Sequence, residues 1–227
     1  MNFGTNHRRF RKVGVEHYPV DTMTLDLTKS EEELWAAMAA KTRYAIRLGG
    51  SRSAGAKEEG ASGLGDFCLL YEETAKRNGL PPAKAGVFLH LFQCAARYGL
   101  TLRLYTVRDA SGRATASAIF ANCGSEAWYL FAASSACGRE LNGPSRILWQ
   151  AMRDLKRDGV AVLDLLGVGP AGCDDHPLSR LTHFKAGFGG ARAKRLGAWD
   201  WVIDEKAYAD MRGREMACLI RWQASGN

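Results

Sequence analysis

Behind Ser30-Glu31-Glu32-Glu33, the apolar positions Leu34, Trp35, Met38, Ala45 and Ile46 recur at helical spacing and fall on one stripe. Those first four residues form a capping box: the serine accepts from the third amide while Glu33 reaches back. A helix is therefore predicted from Ser30 to about Leu48. Ahead of it, 20–27 alternates polar and apolar residues and predicts a strand. Residues 49–65, rich in Gly, Ser and Ala, read as a connection. Asp66 is placed to cap a second helix, with Leu69, Leu70 and Ala75 inward and Asn78-Gly79 as its stop. After Pro81-Pro82, a third helix carries Val87, Phe88, Leu91, Phe92 and Ala95 and stops at Gly99.

Three segments of strand character follow, at 100–108, 115–122 and 127–132. The links Asp109-Ala110-Ser111-Gly112 and Cys123-Gly124-Ser125 are turn-like, which makes them an antiparallel meander. Asn142 and Pro144 open another helix, with Ile147, Leu148, Met152 and Leu155 on one side and Gly159 at its end. Residues 160–166 are a short apolar run, as in a strand covered on both faces. A helix near 177–185, a strand at 195–203 and a helix from Asp204 complete the pattern. Residues 1–19, with Arg8, Arg9, Arg11 and Lys12 around Phe10, show no apolar periodicity and read as a basic arm; 20–227 read as one domain. This order resembles the GNAT acyltransferase architecture. That is an α/β (α+β) fold whose mixed, mostly antiparallel central sheet is flanked by helices and splays where an acyl donor enters. Order alone is an analogy and does not name a reaction.

Composition narrows the classes without choosing among them. With 227 residues, 46% hydrophobic and 24% charged, the chain is neither disordered nor collagenous nor a disulfide scaffold. No run approaches the roughly 18 apolar residues of a membrane span, and no apolar segment follows the N-terminal basic stretch. An integral membrane segment and a secretory signal are therefore not expected. Six cysteines without a C-x-x-C pair fit reduced thiols in the cytoplasm. Thirty-one basic against 24 acidic residues, a net +7, favours an anionic partner: nucleic acid, a phosphorylated small molecule or an acidic membrane surface.

Several literal motifs fail their structural requirements. Gly167-Val168-Gly169-Pro170-Ala171-Gly172 follows a strand, but a dinucleotide site needs a helix opening on that loop, and Cys173-Asp174-Asp175-His176-Pro177 comes next. Cys173, Asp174, Asp175, His176 and His183 offer metal-ligand atoms without a second spaced pair, so a solvated loop is the better reading. No G-x-S-x-G elbow marks a hydrolase. The R/Q-x-x-G-x-G/A pattern of an acetyl-CoA site is replaced by Ser134-Ser135-Ala136-Cys137-Gly138-Arg139-Glu140-Leu141-Asn142-Gly143. What stands out is Leu181-Thr182-His183-Phe184-Lys185-Ala186-Gly187-Phe188-Gly189-Gly190. Its lysine between apolar residues reads equally as an ammonium in a cleft or as a snorkelling surface side chain.

Four blocks resemble the Fem-type aminoacyltransferases, which use aminoacyl-tRNA to build peptidoglycan cross-bridges. They are Lys41-Thr42-Arg43-Tyr44-Ala45-Ile46-Arg47; Ala127-Trp128-Tyr129-Leu130-Phe131-Ala132-Ala133-Ser134; Asn142 through Trp149 to Gly159 with Asp164-Leu165-Leu166-Gly167; and Phe184-Lys185-Ala186-Gly187-Phe188-Gly189-Gly190 followed by Trp199-Asp200. The resemblance covers about 20–205 and is to the second of the family's two GNAT-like domains. It implies aminoacyl-tRNA as donor and a nucleotide- or lipid-linked muropeptide precursor as acceptor. It also implies no cofactor and no metal, because the ester is already activated. A compact relative, a fragment, or half of a site completed by a partner domain all remain open.

For the site, the resemblance implies Lys185 as the oxyanion partner and Phe184 as backbone and wall. Arg43 is expected on the acceptor's diphosphate, assisted by Lys41 and Arg47. Asn142, Asp164 and Gly167 are expected to shape the substrate cleft, with Trp149 architectural. Arg192, Lys194 and Arg195, together with the basic arm, are expected to hold tRNA by charge. The expected location is cytoplasmic, with a peripheral position at the inner membrane face as the further option. Two alternatives stand beside this: a CoA- or carrier-dependent N-acyltransferase of the GNAT superfamily, and a non-catalytic module binding tRNA or precursor.

Overall fold

The computed structural model describes residues 9–14, 16, 19–52, 55–84 and 86–224. They group into two units, Asp21–Ala193 and a smaller one made of the chain up to Val20 and from Lys194. The first strand, β1 (Phe10–Lys12), lies in the smaller unit, where the sequence predicts only an arm.

The larger unit begins with β2 (Asp21–Asp26), followed by α1 (Glu31–Ala37) and α2 (Ala40–Arg52). The capping box forms as expected: Glu33 N donates to Ser30 Oγ at 3.1 Å and Ser30 N to Glu33 Oε2 at 2.8 Å. The single helix predicted to Leu48 is instead two. Met38 takes an extended conformation with its side chain buried, and Ala39 N donates to Gly187 O at 2.9 Å, so a tertiary bond replaces a helical one. The segment predicted as a connection holds the end of α2 and the short strand β3 (Lys57–Glu58). Next come α3 (Leu64–Arg77) and α4 (Val87–Ala95). Asp66 lies inside the first turn of α3, whose N-cap is Gly63; its carboxylate pairs with Arg108 at 2.7 Å instead of capping.

The meander follows as β4 (Thr101–Arg108), β5 (Ala114–Cys123) and β6 (Glu126–Ser134), then α5 (Ala136–Glu140), α6 (Gly143–Arg157), β7 (Val162–Gly167), α7 (Ser179–Ala186) and β8 (Ala191–Lys194). Seven strands make one sheet in the order β3-β4-β5-β6-β7-β2-β8. The β3–β4, β4–β5, β5–β6 and β2–β7 pairs are antiparallel, and β6–β7 is parallel. The sheet is covered on both faces, and β5 is buried along almost its whole length, its Thr115 and Ser117 included. Ala116, Ala118 and Phe120 point into a core with Ile147, Leu148 and Met152 of α6, while Ile119 points to Phe67, Leu70 and Phe88 of α3 and α4.

In the smaller unit, β1 pairs antiparallel with β9 (Trp199–Trp201), and α8 (Glu205–Ala224) follows, opened by Asp204 Oδ1 accepting from Ala207 N at 2.9 Å. Of the predicted strand 195–203 only Trp199–Trp201 is strand, as β9; Gly197, at a φ of +75°, lies in the non-strand stretch before it, and β8 has already ended at Lys194. Among the described residues, no helix is long and apolar enough to cross a membrane.

Candidate active site

The opening in the sheet comes from register. Strands β6 and β7 pair only at Glu126–Val162, Ala127–Leu163 and Trp128–Asp164. Beyond these pairs β6 stays paired with β5 alone, as far as Ser134. On the β6 side lies a cleft of about 570 Å³ lined by Tyr129, Ala133 and Ser134, with Ile147 of α6 and Leu181 and Phe184 of α7. A β-bulge leaves Leu130 without an opposite number on β5, between the pairs Ile119–Phe131 and Phe120–Tyr129. Tyr129 stacks on Phe120 with centroids 4.9 Å apart.

The end of β7 is bent by Asp164. Its Oδ1 accepts from Leu166 N at 2.7 Å and from the hydroxyl of Thr22 on β2. That turn holds Leu166 at a φ of +61°, a left-handed conformation that side chains other than glycine seldom adopt and that marks stored strain. Gly167 follows, and its carbonyl accepts from Lys185 Nζ at 2.6 Å. Lys185 is 4% exposed. Loss of hydration pushes its ammonium down to about 8, and the nearby Asp164 carboxylate partly offsets that shift. The group stays mostly protonated at neutral pH, with N–H bonds to spare for a second acceptor. Phe184, one residue earlier, stands in the cleft wall and packs edge-on against buried Phe188 at 5.4 Å. Lys185 is therefore buried and not a snorkelling surface side chain, while the residue that lines the cleft is its neighbour Phe184.

The glycines around Lys185 serve close packing. A Cβ on Gly187 would stand 2.5 Å from Thr42 Oγ1, and one on Gly189, at φ +80°, would stand 2.7 Å from Ala37 O. The α7 end thus presses on the corner between α1 and α2. At that corner, Arg43 Nη1 donates to Ala36 O at 3.1 Å and to Met38 O, so the guanidinium closes the end of α1. Lys41 is exposed, and Arg47 lies over the Trp35 ring at 5.2 Å. Trp35 in turn packs against Trp149 at 5.2 Å. Asn142 adopts the left-handed conformation, φ +56°, in the sharp turn between α5 and α6 and makes no side-chain cap.

The residues expected to meet tRNA are partly engaged within the protein. Arg192 bridges Asp21 at 2.8 Å and Gly169 O. Arg11 pairs with Glu205 at 3.3 Å, and Lys12 pairs with Glu16 and donates to Leu196 O at 2.9 Å. Lys194 and Arg195 are exposed. Arg8 lies outside the described residues. The glycine loop after β7 opens no helix before Ser179, and Gly169 N donates to Thr182 Oγ1 at 2.9 Å. Among the described residues, no three His, Cys, Asp or Glu side chains converge on a point where a metal would sit. Gly138 N, at the position of the missing CoA motif, donates to Ser135 Oγ at 3.0 Å.

Sequence reasoning did not single out Thr22 and Leu166 at the bend of β7, nor Arg77, Arg139 and Arg180, which also line the cleft. For Leu166 a signal existed, since an aspartate two residues ahead commonly bonds the following amide in an Asx turn. For the three arginines none existed, because they come from three separate elements.

A mixed sheet opened between two strands, with helices on both faces, defines a GNAT-like acyltransferase fold. Residues 103–213 match the model of the FemAB family. The crystal structure of FemX superposes with a TM-score of 0.80 at 16% identity, covering 90% of this chain and 68% of that one. The C-terminal domain (DUF2156) of a putative lysylphosphatidylglycerol synthetase from Agrobacterium fabrum gives 0.62 at 14% identity, over 91% and 66%. The structure of L-PGS from Bacillus licheniformis gives 0.54 at 12% identity, over 84% and 60%. These likenesses are of fold, and the chain spans about two thirds of the length of those structures. No curated protein sequence matches it.

Proposed function

We propose that the chain is an aminoacyl-tRNA-dependent aminoacyltransferase of peptidoglycan assembly. In this reading it transfers an amino acid from tRNA to an amine of a nucleotide- or lipid-linked muropeptide. The observation that carries the reading is the buried ammonium of Lys185, held by Gly167 O at the end of β7. The FemAB match supports it at the level of family.

The acceptor amine attacks the ester carbonyl, forming a C–N bond. The tetrahedral oxyanion then collapses, the C–O bond to ribose breaks, and the sugar hydroxyl leaves with the proton given up by the amine. An ester needs no further activation, so the site supplies alignment and charge. Lys185 turns its remaining N–H donors to the oxyanion, and Phe184 excludes water from one side. Asp164 positions Gly167, and with it the lysine, through the bent end of β7. Arg43, with Lys41 and Arg47, takes the acceptor's diphosphate; Asn142 contributes through the turn that sets α6, and Arg192, Lys194 and Arg195 meet the tRNA body. A first GNAT-like domain, from a longer chain or a partner, completes the acceptor pocket. These substrates belong to the cytoplasm and its membrane face.

The CoA-dependent alternative is less well supported, because Gly138 N, the amide a pyrophosphate would need, is already held by Ser135. A filter-binding assay for transfer from charged tRNA, run beside an assay for thiol release from acyl-CoA, separates the two. Amino acid appearing on the muropeptide without thiol release supports the proposal; thiol release alone overturns it. Binding of tRNA without either product identifies the non-catalytic alternative.

A further inference from the structure

The cleft beside β6 contains a feature that aminoacyl transfer at Lys185 does not use. Arg77 at the end of α3 donates through Nη1 to Ser134 O at 2.8 Å. Arg139 of α5 reaches the same oxygen through its own Nη1 at 3.5 Å and Ser135 O at 3.3 Å. Two guanidinium groups from different helices thus meet at one carbonyl, no farther apart than the two bonds laid end to end. Arg180 on α7 also lines the cleft. None of the side chains lining the cleft is a carboxylate. The acid near this group is Glu73, 4.0 Å from Arg77 and one turn back on its helix. Burial and then the neighbouring Arg139 both push the Arg77 guanidinium below its ordinary value, and Glu73 offsets only part of this. Like charges held together in a cleft without an acid in its lining are relieved by an anion, and planar forks suit phosphate oxygens.

We propose that Arg77, Arg139 and Arg180 form a phosphate subsite that holds the 3′-terminal phosphodiesters of the RNA donor, with Tyr129, Leu181 and Phe184 offering an apolar wall to its sugar and acyl group. The assignment rests on the aminoacyl-tRNA reading and adds the place where the donor's end is gripped. It differs from the basic residues Arg192, Lys194 and Arg195, because it lies in the cleft that is also lined by Phe184, the residue before Lys185. The same chemistry would suit the diphosphate of CoA, so the test must separate the two sources.

Isothermal titration of the protein with the RNA trinucleotide CCA, with CoA and with inorganic pyrophosphate makes that separation. Arg139→Gln and Arg180→Gln are the informative variants. Arg77→Gln also removes a bond to β6, so its melting temperature is measured alongside. The expected result is trinucleotide binding that weakens about 10-fold in each variant, as for loss of one charge-assisted contact. The slope of log affinity against log salt should fall by about 0.7 per arginine removed. Trinucleotide binding that is unchanged in both variants overturns the subsite, and so does arginine-dependent binding of CoA without binding of the trinucleotide. Transfer assays keep this separate from the function itself. Arginine-dependent trinucleotide binding by a parent that transfers nothing leaves the subsite standing and removes the proposed reaction. Transfer with an unchanged tRNA Michaelis constant in both variants does the reverse.

Discussion

The corner between α1 and α2 and the stretch from β7 to α7 each hold a basic side chain against backbone carbonyls, in very different surroundings. Arg43 is partly exposed and reaches Ala36 O and Met38 O, at a helix end where unpaired carbonyls carry partial negative charge. Lys185 is almost wholly buried and holds a single neutral oxygen, Gly167 O, at the end of a strand. The first arrangement stabilises a helix end. The second costs stability, because water has been removed and only the partial help of Asp164 replaces it. Two motifs that look alike as basic patches therefore differ physically. One charge is matched by a helix end, and the other is buried against one neutral carbonyl, which is what the proposed oxyanion role requires.

Lys185→Met gives the largest expected effect. It keeps the apolar stem, so turnover should fall on the order of 100- to 1,000-fold, with little change in either Michaelis constant. The same pair of proteins has a pH signature. The folded state binds the Lys185 proton more weakly than the unfolded chain, so the parent's stability should rise from about pH 8 towards 10.5 relative to the variant. Chemical denaturation across that range reads the difference.

The joint between the two regions comes next. A methyl group at Gly189 would meet Ala37 O, and φ there is positive, so Gly189→Ala should cost about 2–4 kcal/mol in urea unfolding. A cost below about 0.5 kcal/mol would mean that α7 does not press on the corner. Arg43→Lys is the smallest and sharpens the contrast: it keeps the charge and loses the fork. About 1 kcal/mol of stability should go with the bonds to α1, and the acceptor Michaelis constant should rise while that of tRNA stays unchanged. A loss of stability alone assigns Arg43 to the helix end only.

The elements with strong periodicity were legible in the sequence. The meander, α6 with its terminal Gly159, and the capping box at Ser30 all lie where local chemistry puts them, because turn residues and apolar spacing decide such elements. The break at Met38–Ala39 was not legible, since it depends on Gly187 O, almost 150 residues away. The displaced role of Asp66 has the same cause: a distant partner, Arg108, outweighed local preference. At the site, Lys185 and Phe184 stood out because glycines and aromatics frame them. Arg77, Arg139 and Arg180 did not, because only the fold brings α3, α5 and α7 to one cleft.

The central claim is that the Lys185 ammonium is desolvated at the end of β7 and available to a developing oxyanion. Titration of lysine side chains by NMR in the isotope-labelled protein tests it most directly, with the Lys185 signal assigned by its loss in Lys185→Met. A midpoint at about 8 is the result this account requires. A midpoint at the ordinary lysine value of 10.5 would show a hydrated surface ammonium and would contradict it.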